Sequence, residues 1–248
     1  MVFRSDETNR GYSTATSTNV AYRLGLIARQ GVLEGRWLDC GSAEGGFAAA
    51  LPSFGATGVV AVDIEHPRVA LGSTRPDGAS VSFSCAASEA LPLRDETFDG
   101  VLLNEVLEHV GDEQATLREI HRVLRPGGHL ALLSPNRLFP FEGHGLALRR
   151  RELNWPVPLV PWLPQRLFRR SLRARNYWPS QLVSLVEEAG LEVRHTQTVF
   201  PMFDRFRWLP PTMIEWIRRS PETFARVPIL RRMGVSTLVI AQRRRSLS

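Results

Sequence analysis

The chain has 248 residues, 43% hydrophobic and 23% charged, which suits one large globular domain and excludes a disordered or fibrous protein. No run of ~18 apolar residues is present and the N-terminus lacks the apolar stretch of a secretory leader, so the expected compartment is the cytoplasm. The net charge of +6 divides unevenly: residues 1–145 carry 12 arginines against 18 acids, a net of −6, and residues 146–248 carry 19 against 7, a net of +12.

A basic second half suits an anionic partner such as a nucleic acid, a lipid headgroup or a phosphorylated substrate. The chain contains no lysine, so compositional bias accounts for part of the excess. Two cysteines, Cys40 and Cys85, fall in expected strands and read as reduced, buried thiols.

In chain order, a polar stretch of about 16 residues precedes Ser17-Thr18-Asn19, an N-cap for a helix running to Ala28. That helix either covers the site described below or packs on a sheet. Strand and helix signals then alternate. Strands are expected at Arg36–Cys40, Gly58–Asp63, Val81–Cys85, Phe98–Leu103 and His129–Ser134, and helices at about Glu44–Ser53, Pro67–Gly72 and Asp112–Leu124. Continuous apolar strands joined by helices predict a doubly wound parallel sheet covered on both faces.

The rhythm breaks after Asn136. Residues 137–177 are rich in Pro, Trp, Leu and Arg and read as an inserted lid with short helical pieces. A helix at about Ser180–Ala189 and a strand at Leu191–Thr198 resume the fold. A second irregular segment, 199–233, is expected to be helical after Pro211, and a last strand spans Ser236–Gln242. The organisation is therefore an N-terminal segment (1–35), a binding core (36–136), the lid (137–177) and a completion of the sheet (178–248).

Ligands of open parallel sheets sit outside the carboxyl ends of the strands. Those ends hold Asp39-Cys40-Gly41-Ser42-Ala43-Glu44-Gly45, then Asp63-Ile64, Ala87-Ser88-Glu89, Asn104-Glu105 and Pro135-Asn136. Small residues at 41, 43 and 45 permit a sharp strand-to-helix turn and a close ligand approach. Asp63 is suited to two ribose hydroxyls. The turn can be stretched to the Gly-x-Gly-x-x-Gly of a nicotinamide or flavin site, but Asp39 would repel a pyrophosphate and attract an ammonium group.

Residues 36–136 resemble the class I S-adenosylmethionine-dependent methyltransferases, in particular the group that includes the ubiquinone and menaquinone biosynthesis methyltransferases. The resemblance rests on Leu38-Asp39-Cys40-Gly41-Ser42-Ala43-Glu44-Gly45, Val62-Asp63, Glu89-Ala90-Leu91-Pro92-Leu93, Asn104-Glu105-Val106-Leu107-Glu108-His109-Val110, and Arg122-Val123-Leu124-Arg125-Pro126-Gly127-Gly128, in order. It implies a Rossmann-like, seven-stranded sheet, mostly parallel with an antiparallel last strand and helices on both faces. It also implies S-adenosylmethionine as cofactor and no metal. Asp39, Gly41, Ser42, Ala43 and Gly45 would surround the methionyl end, Asp63 and Ile64 the ribose side, Ala87 and Ser88 the adenine, and Asn104 and Glu105 the sulfonium. Ala87 stands where many relatives carry an aspartate to the adenine amino group, a hydrogen bond worth ~1 kcal/mol.

A hydroxyl acceptor benefits from a general base, for which His144, Glu142 and His109 are the candidates, with His109 also readable as a packed loop histidine. The two insertions, rich in Trp, Phe, Leu and Arg, suggest a small apolar, sugar or lipid-linked acceptor, with the basic half resting on a membrane surface. RNA methylation is the alternative the arginines motivate, disfavoured by the lack of an RNA-binding module. A binding protein without catalysis is a third reading.

Overall fold

Alternating side chains of the apolar strands sort into two cores, one on each face of a central sheet. The computed structural model describes residues 17–143, 146–148, 151–153, 157–164, 172–200, 212 and 232–245. Its helices are α1 (Ser17–Ala28), α2 (Gly46–Ala50), α3 (His66–Ser73), α4 (Glu113–Val123) and α5 (Pro179–Glu188). The strands are β1 (Gly35–Cys40), β2 (Ala56–Asp63), β3 (Val81–Cys85), β4 (Phe98–Asn104), β5 (Leu124–Pro135), β6 (Phe141–Glu142), β7 (Leu146–Leu148), β8 (Arg151–Leu153), β9 (Val157–Pro158), β10 (Leu191–Val199) and β11 (Ser236–Arg243).

Seven strands form one sheet in the order β10-β11-β5-β4-β1-β2-β3. β11 runs antiparallel to both neighbours and the other pairings are parallel. On one face Leu38, Val62, Val101, Leu103 and Leu132 pack on Leu117 and Ile120 of α4 and Leu182 and Val186 of α5. On the other, Trp37, Val59, Leu102 and Leu133 pack on Leu24 and Ile27 of α1 and Phe47 of α2. Each such side chain contributes roughly 1.5–3 kcal/mol on burial. Chain order reverses between β1 and β4, so their carboxyl ends open a crevice where the turn after Asp39 meets Asn104.

The helices follow from their stripes. α4 starts where the Asp112 side chain accepts a hydrogen bond from the Ala115 amide (2.9 Å), and buries Leu117, Ile120 and Val123. α1 buries Val20, Leu24 and Ile27 and, in the same stripe, Arg23. It packs on the sheet as one reading of the sequence has it, and Arg23 carries it to the crevice as well.

Several boundaries differ from expectation. α2 covers only Gly46–Ala50, and the chain continues as a 3₁₀ turn, Leu51–Phe54, because Pro52 cannot donate to an α-helical ladder. β5 begins at Leu124, paired with Phe98, and bulges through Arg125–Gly128 before His129 pairs with Gly100. Among the described residues of the lid, the short pieces are two antiparallel strand pairs, β6 with β9 and β7 with β8, and a 3₁₀ turn at Val160–Trp162. Both cysteines are free, but Cys85 is exposed rather than buried, since β3 is an edge strand. The expected helix after Pro211 lies outside the described residues, apart from Thr212. No described helix is long and apolar enough to cross a membrane.

Candidate functional site

The turn after β1 is locked to the end of β2. The Gly41 and Ser42 amides both donate to the Val62 carbonyl (2.7 and 2.9 Å), and the Asp63 carboxylate accepts from the Ala43 amide (2.7 Å) and the Glu65 amide (2.9 Å). Gly41, Ala43 and Gly45 all adopt left-handed backbone, at φ 78°, 52° and 75°. The need for glycine here is internal as well as conformational. A Cβ on Gly41 would strike the Val106 side chain, and one on Gly45 would lie 2.5 Å from the Phe83 ring. Close approach of protein to protein therefore adds a third reason for small residues here, beside the sharp turn and the expected approach of a ligand. Gly41→Ala is expected to destabilise by roughly 2–5 kcal/mol, from left-handed strain plus overpacking. Thermal melts of Gly41→Ala with and without Val106→Ala check this; the second change should recover only the overpacking share.

Asp39 is buried at the base of the turn, and its Oδ2 has no hydrogen-bond partner. Burial raises its pKa to about 7 against the pull of the Ala48 amide, with the neighbouring Asp63 charge adding to the rise. Ser42 Oγ, also buried, is likewise unpartnered. Buried polar atoms in native proteins have partners, so an orphaned carboxylate oxygen in a ligand crevice suits a cationic donor. Each Asp63 oxygen has accepted one amide and keeps lone-pair capacity for a hydroxyl. Ile64, next in sequence, is 66% exposed and offers an apolar face beside it. The arrangement therefore fits an ammonium, a diol and a flat apolar ring. Among the described residues no cluster suited to a metal is present.

The floor of the crevice is a buried ionic network. Arg23 Nη1 donates to Asn104 Oδ1 (2.7 Å) and Glu105 Oε1 (2.9 Å), and Nη2 donates to Ser236 Oγ (3.2 Å). Ser236 reaches the site because β11 runs antiparallel, bringing its first residue beside Pro135 at the end of β5. Glu108, fully buried, accepts from Ser134 Oγ (3.2 Å). Burial and then the Glu105 charge hold its pKa well above the usual carboxylate range, which favours its protonated form.

The remaining candidates are dispersed. Ser88 Oγ lies 3.2 Å from both Glu89 Oε2 and Thr116 Oγ1 of α4, and the Ala87 carbonyl accepts the Ala90 amide. The His109 amide closes a turn on the Val106 carbonyl. Glu142 is fully buried in β6 and accepts from Asn176 Nδ2 at 2.6 Å. His144 lies outside the described residues. Sequence reasoning missed Arg23, Glu108 and Ser236. The signal for Arg23 was a charge inside the stripe Val20, Arg23, Leu24, Ile27, a position that must be buried if the helix packs.

Residues 38–132 match the family described as methyltransferase domain. The chain is 30% identical over 185 residues to the ubiquinone biosynthesis O-methyltransferase of Agrobacterium fabrum, covering 73% of this chain and 70% of that one. It is 31% identical over 132 residues to the protein of the same name in Parvibaculum lavamentivorans, covering 52% of this chain and 49%, about half, of that relative. An S-adenosylmethionine-dependent methyltransferase structure from Mesorhizobium loti superimposes with a TM-score of 0.59 over 89% of this chain and 98% of that chain, at 20% identity, a likeness of fold.

Proposed function

The chain belongs to the class I S-adenosylmethionine-dependent methyltransferases, and on that premise we propose that it methylates an oxygen of a small, apolar acceptor, a sugar or a lipid-linked molecule. The observation that carries the cofactor assignment is the orphaned Asp39 oxygen, which suits an amino-acid ammonium and would repel a pyrophosphate. In this reading Asp39, with Gly41, Ser42, Ala43 and Gly45 around it, holds the methionyl end. Asp63 accepts the ribose hydroxyls, and Ile64, Ala87 and Ser88 border the adenine. Asn104 and Glu105 underlie the sulfonium, their carbonyl and carboxylate oxygens held in orientation by Arg23.

The bound cofactor supplies an electrophilic methyl group. The chain's own contribution is alignment, exclusion of water by the lid, and removal of the acceptor's proton. His144 is the proposed proton acceptor, since in sequence it follows shortly after the fifth strand, beyond whose carboxyl end the acceptor is expected, with Glu142 and His109 as the other candidates. The O-methyltransferase relatives support oxygen as the acceptor atom.

Calorimetry with S-adenosylhomocysteine and with a nicotinamide dinucleotide tests the cofactor, and only the first is expected to bind. Transfer of labelled methyl to a panel of phenols, sugars and polyprenyl-linked hydroxyls tests the acceptor. Label appearing in RNA and in none of these would sink the proposed acceptor class.

A further inference from the structure

Arg137, just past β5, has a guanidinium held by one edge. Nε donates to the Pro161 carbonyl (2.8 Å) and Nη2 to the Leu163 carbonyl (2.9 Å). The Trp178 ring covers one of its faces, with the ring centre 5.1 Å from the guanidinium carbon. The other edge, where Nη1 and Nη2 point hydrogens side by side, meets no acceptor among the described residues. Arg23, Arg68, Arg75, Arg122 and Arg243, buried or half-buried as it is, each have a carboxylate within ion-pair distance, from Glu105, Glu44, Asp77, Glu119 and Glu96. Among the described residues Arg137 has none: burial lowers its pKa from the ordinary value, and no acidic neighbour raises it back.

A guanidinium fixed at one edge, stacked on a ring and open at the opposite edge has the geometry that takes a carboxylate or a phosphate through two parallel hydrogen bonds. An unpaired charge in a partly desolvated place is unfavourable, and an oxyanion there relieves it. The surroundings add a second requirement. Leu159, Trp162, Leu163 and Trp178, four of the six large hydrophobic side chains exposed among the described residues, lie on the segments that Arg137 ties together. A bare ion on the free edge leaves them in water, whereas an anion on an apolar body covers them.

The cation stands beside the crevice, away from the part read for the cofactor. Asp39 and Asp63 lie at the ends of β1 and β2, whereas Pro135 at the end of β5 pairs with Ser236, which hydrogen-bonds Arg23 and Glu105 in the floor. Arg137 follows Pro135 by two residues, ~7 Å of extended chain at most. Its own amide donates to the Tyr177 carbonyl (2.9 Å), which fixes the backbone that carries it.

We infer that Arg137, through Nη1 and Nη2, binds an oxyanion carried by the methyl acceptor. The acceptor is then an amphipathic acid, a carboxylate or a phosphate ester on an apolar body, held by its anion beside the mouth while its nucleophile reaches the floor. This names the acceptor class within the proposed function and rests on that reading for the methyl transfer, but the oxyanion site itself does not depend on it.

The test is calorimetry of the full chain with 4-hydroxyphenylacetate, its neutral isostere 4-hydroxyphenylacetamide, phenyl phosphate and inorganic phosphate. At least one of the two aromatic anions is expected to bind roughly tenfold or more tightly than the amide, because a charge-assisted pair replaces a neutral contact. It should also exceed inorganic phosphate, which has no apolar body, and the tighter of the two aromatic anions identifies the oxyanion. Arg137→Gln should bring that anion down to the affinity of the amide and leave the amide where it was. Arg137→Lys keeps the charge without the planar fork and should retain only part of the preference. Both variants should still melt cooperatively and bind S-adenosylhomocysteine as the unaltered chain does; if Arg137→Gln does not fold, Arg137→Lys carries the test. Equal binding of anions and amide by the unaltered chain would make Arg137 a tie between lid segments and nothing more. Full preference in either variant would move the attraction to other cations, and inorganic phosphate binding as tightly as the aromatic anions would leave the apolar body without a role; each overturns the proposal. So does weakened S-adenosylhomocysteine binding in a variant that melts normally, which would give the free edge to the cofactor. If the unaltered chain binds no S-adenosylhomocysteine while the preference that depends on Arg137 holds, the enzymatic reading falls and the oxyanion site stands.

Discussion

Asp39→Asn is expected to raise the melting temperature of the cofactor-free protein and to weaken its cofactor affinity. Asparagine keeps an oxygen for the Ala48 amide but removes a charge that burial disfavours. The sign of the pH dependence follows from the raised pKa. A carboxyl that titrates near 4 when unfolded and at about 7 when folded adds its stability below pH 4 and loses it as pH climbs through 7. The advantage of Asn over Asp should therefore grow by about 3 kcal/mol between pH 5 and pH 8, less whatever the new buried amide hydrogens forfeit at both. Melts at the two pH values measure it, and a gain that is larger at pH 5 would contradict the burial account.

Binding should move the other way. A charge-assisted hydrogen bond to a buried carboxylate contributes about 1.5–3 kcal/mol, so calorimetry should find the variant's affinity roughly 10- to 150-fold weaker. The unaltered protein must also give up the Asp39 proton to pair with an ammonium. Its affinity should fall below pH 7, by up to about tenfold per pH unit, and the variant's should not. A site that stabilises its ligand by holding a destabilised group in readiness trades apo stability for affinity.

The sheet was legible because every central strand is apolar on both faces, as a sheet covered by helices on both sides requires. Leu38 and Trp37 serve opposite cores from adjacent positions. The candidate site was legible for a related reason: the rule that ligands lie beyond the strand ends turns a strand assignment into a residue list, and Asp39, Asp63 and Asn104, which follow from it, stand at the ends of β1, β2 and β4. The floor was not legible. Arg23 meets Asn104 across 81 positions and Ser236 across 213, and neither local propensity nor spacing encodes such separations. Among the described residues the lid holds one of the expected short helical pieces, the 3₁₀ turn Val160–Trp162, beside two short strand pairs that its Pro-rich, aperiodic sequence did not announce. Glu108 sits in a motif read for its histidine, and only the packing around it reveals which of the two neighbours is the buried acid.

That floor yields the larger mutational effect. Arg23 is 5% exposed and compensates Glu105, whose neighbour Glu108 is pushed by burial toward its protonated form. Removing one member of a buried ion pair leaves the other charge uncompensated, at about 3–5 kcal/mol. Arg23→Met should therefore lower the melting temperature by roughly 6–20 °C, taking 2–4 °C per kcal/mol for a chain of this size. The same change frees Asn104 and Glu105 from the guanidinium that orients them, so methyl transfer should fall even where folding is intact. Adding Glu105→Gln to Arg23→Met removes the stranded charge and should recover much of the stability without restoring transfer. Glu108→Gln distinguishes this account from one in which Glu108 is itself ionised: an amide mimics the protonated acid, so its effect should stay within about 1.5 kcal/mol at neutral pH. If Glu108→Gln proves as damaging as Arg23→Met, the proton is misplaced and the guanidinium balances two carboxylates rather than one.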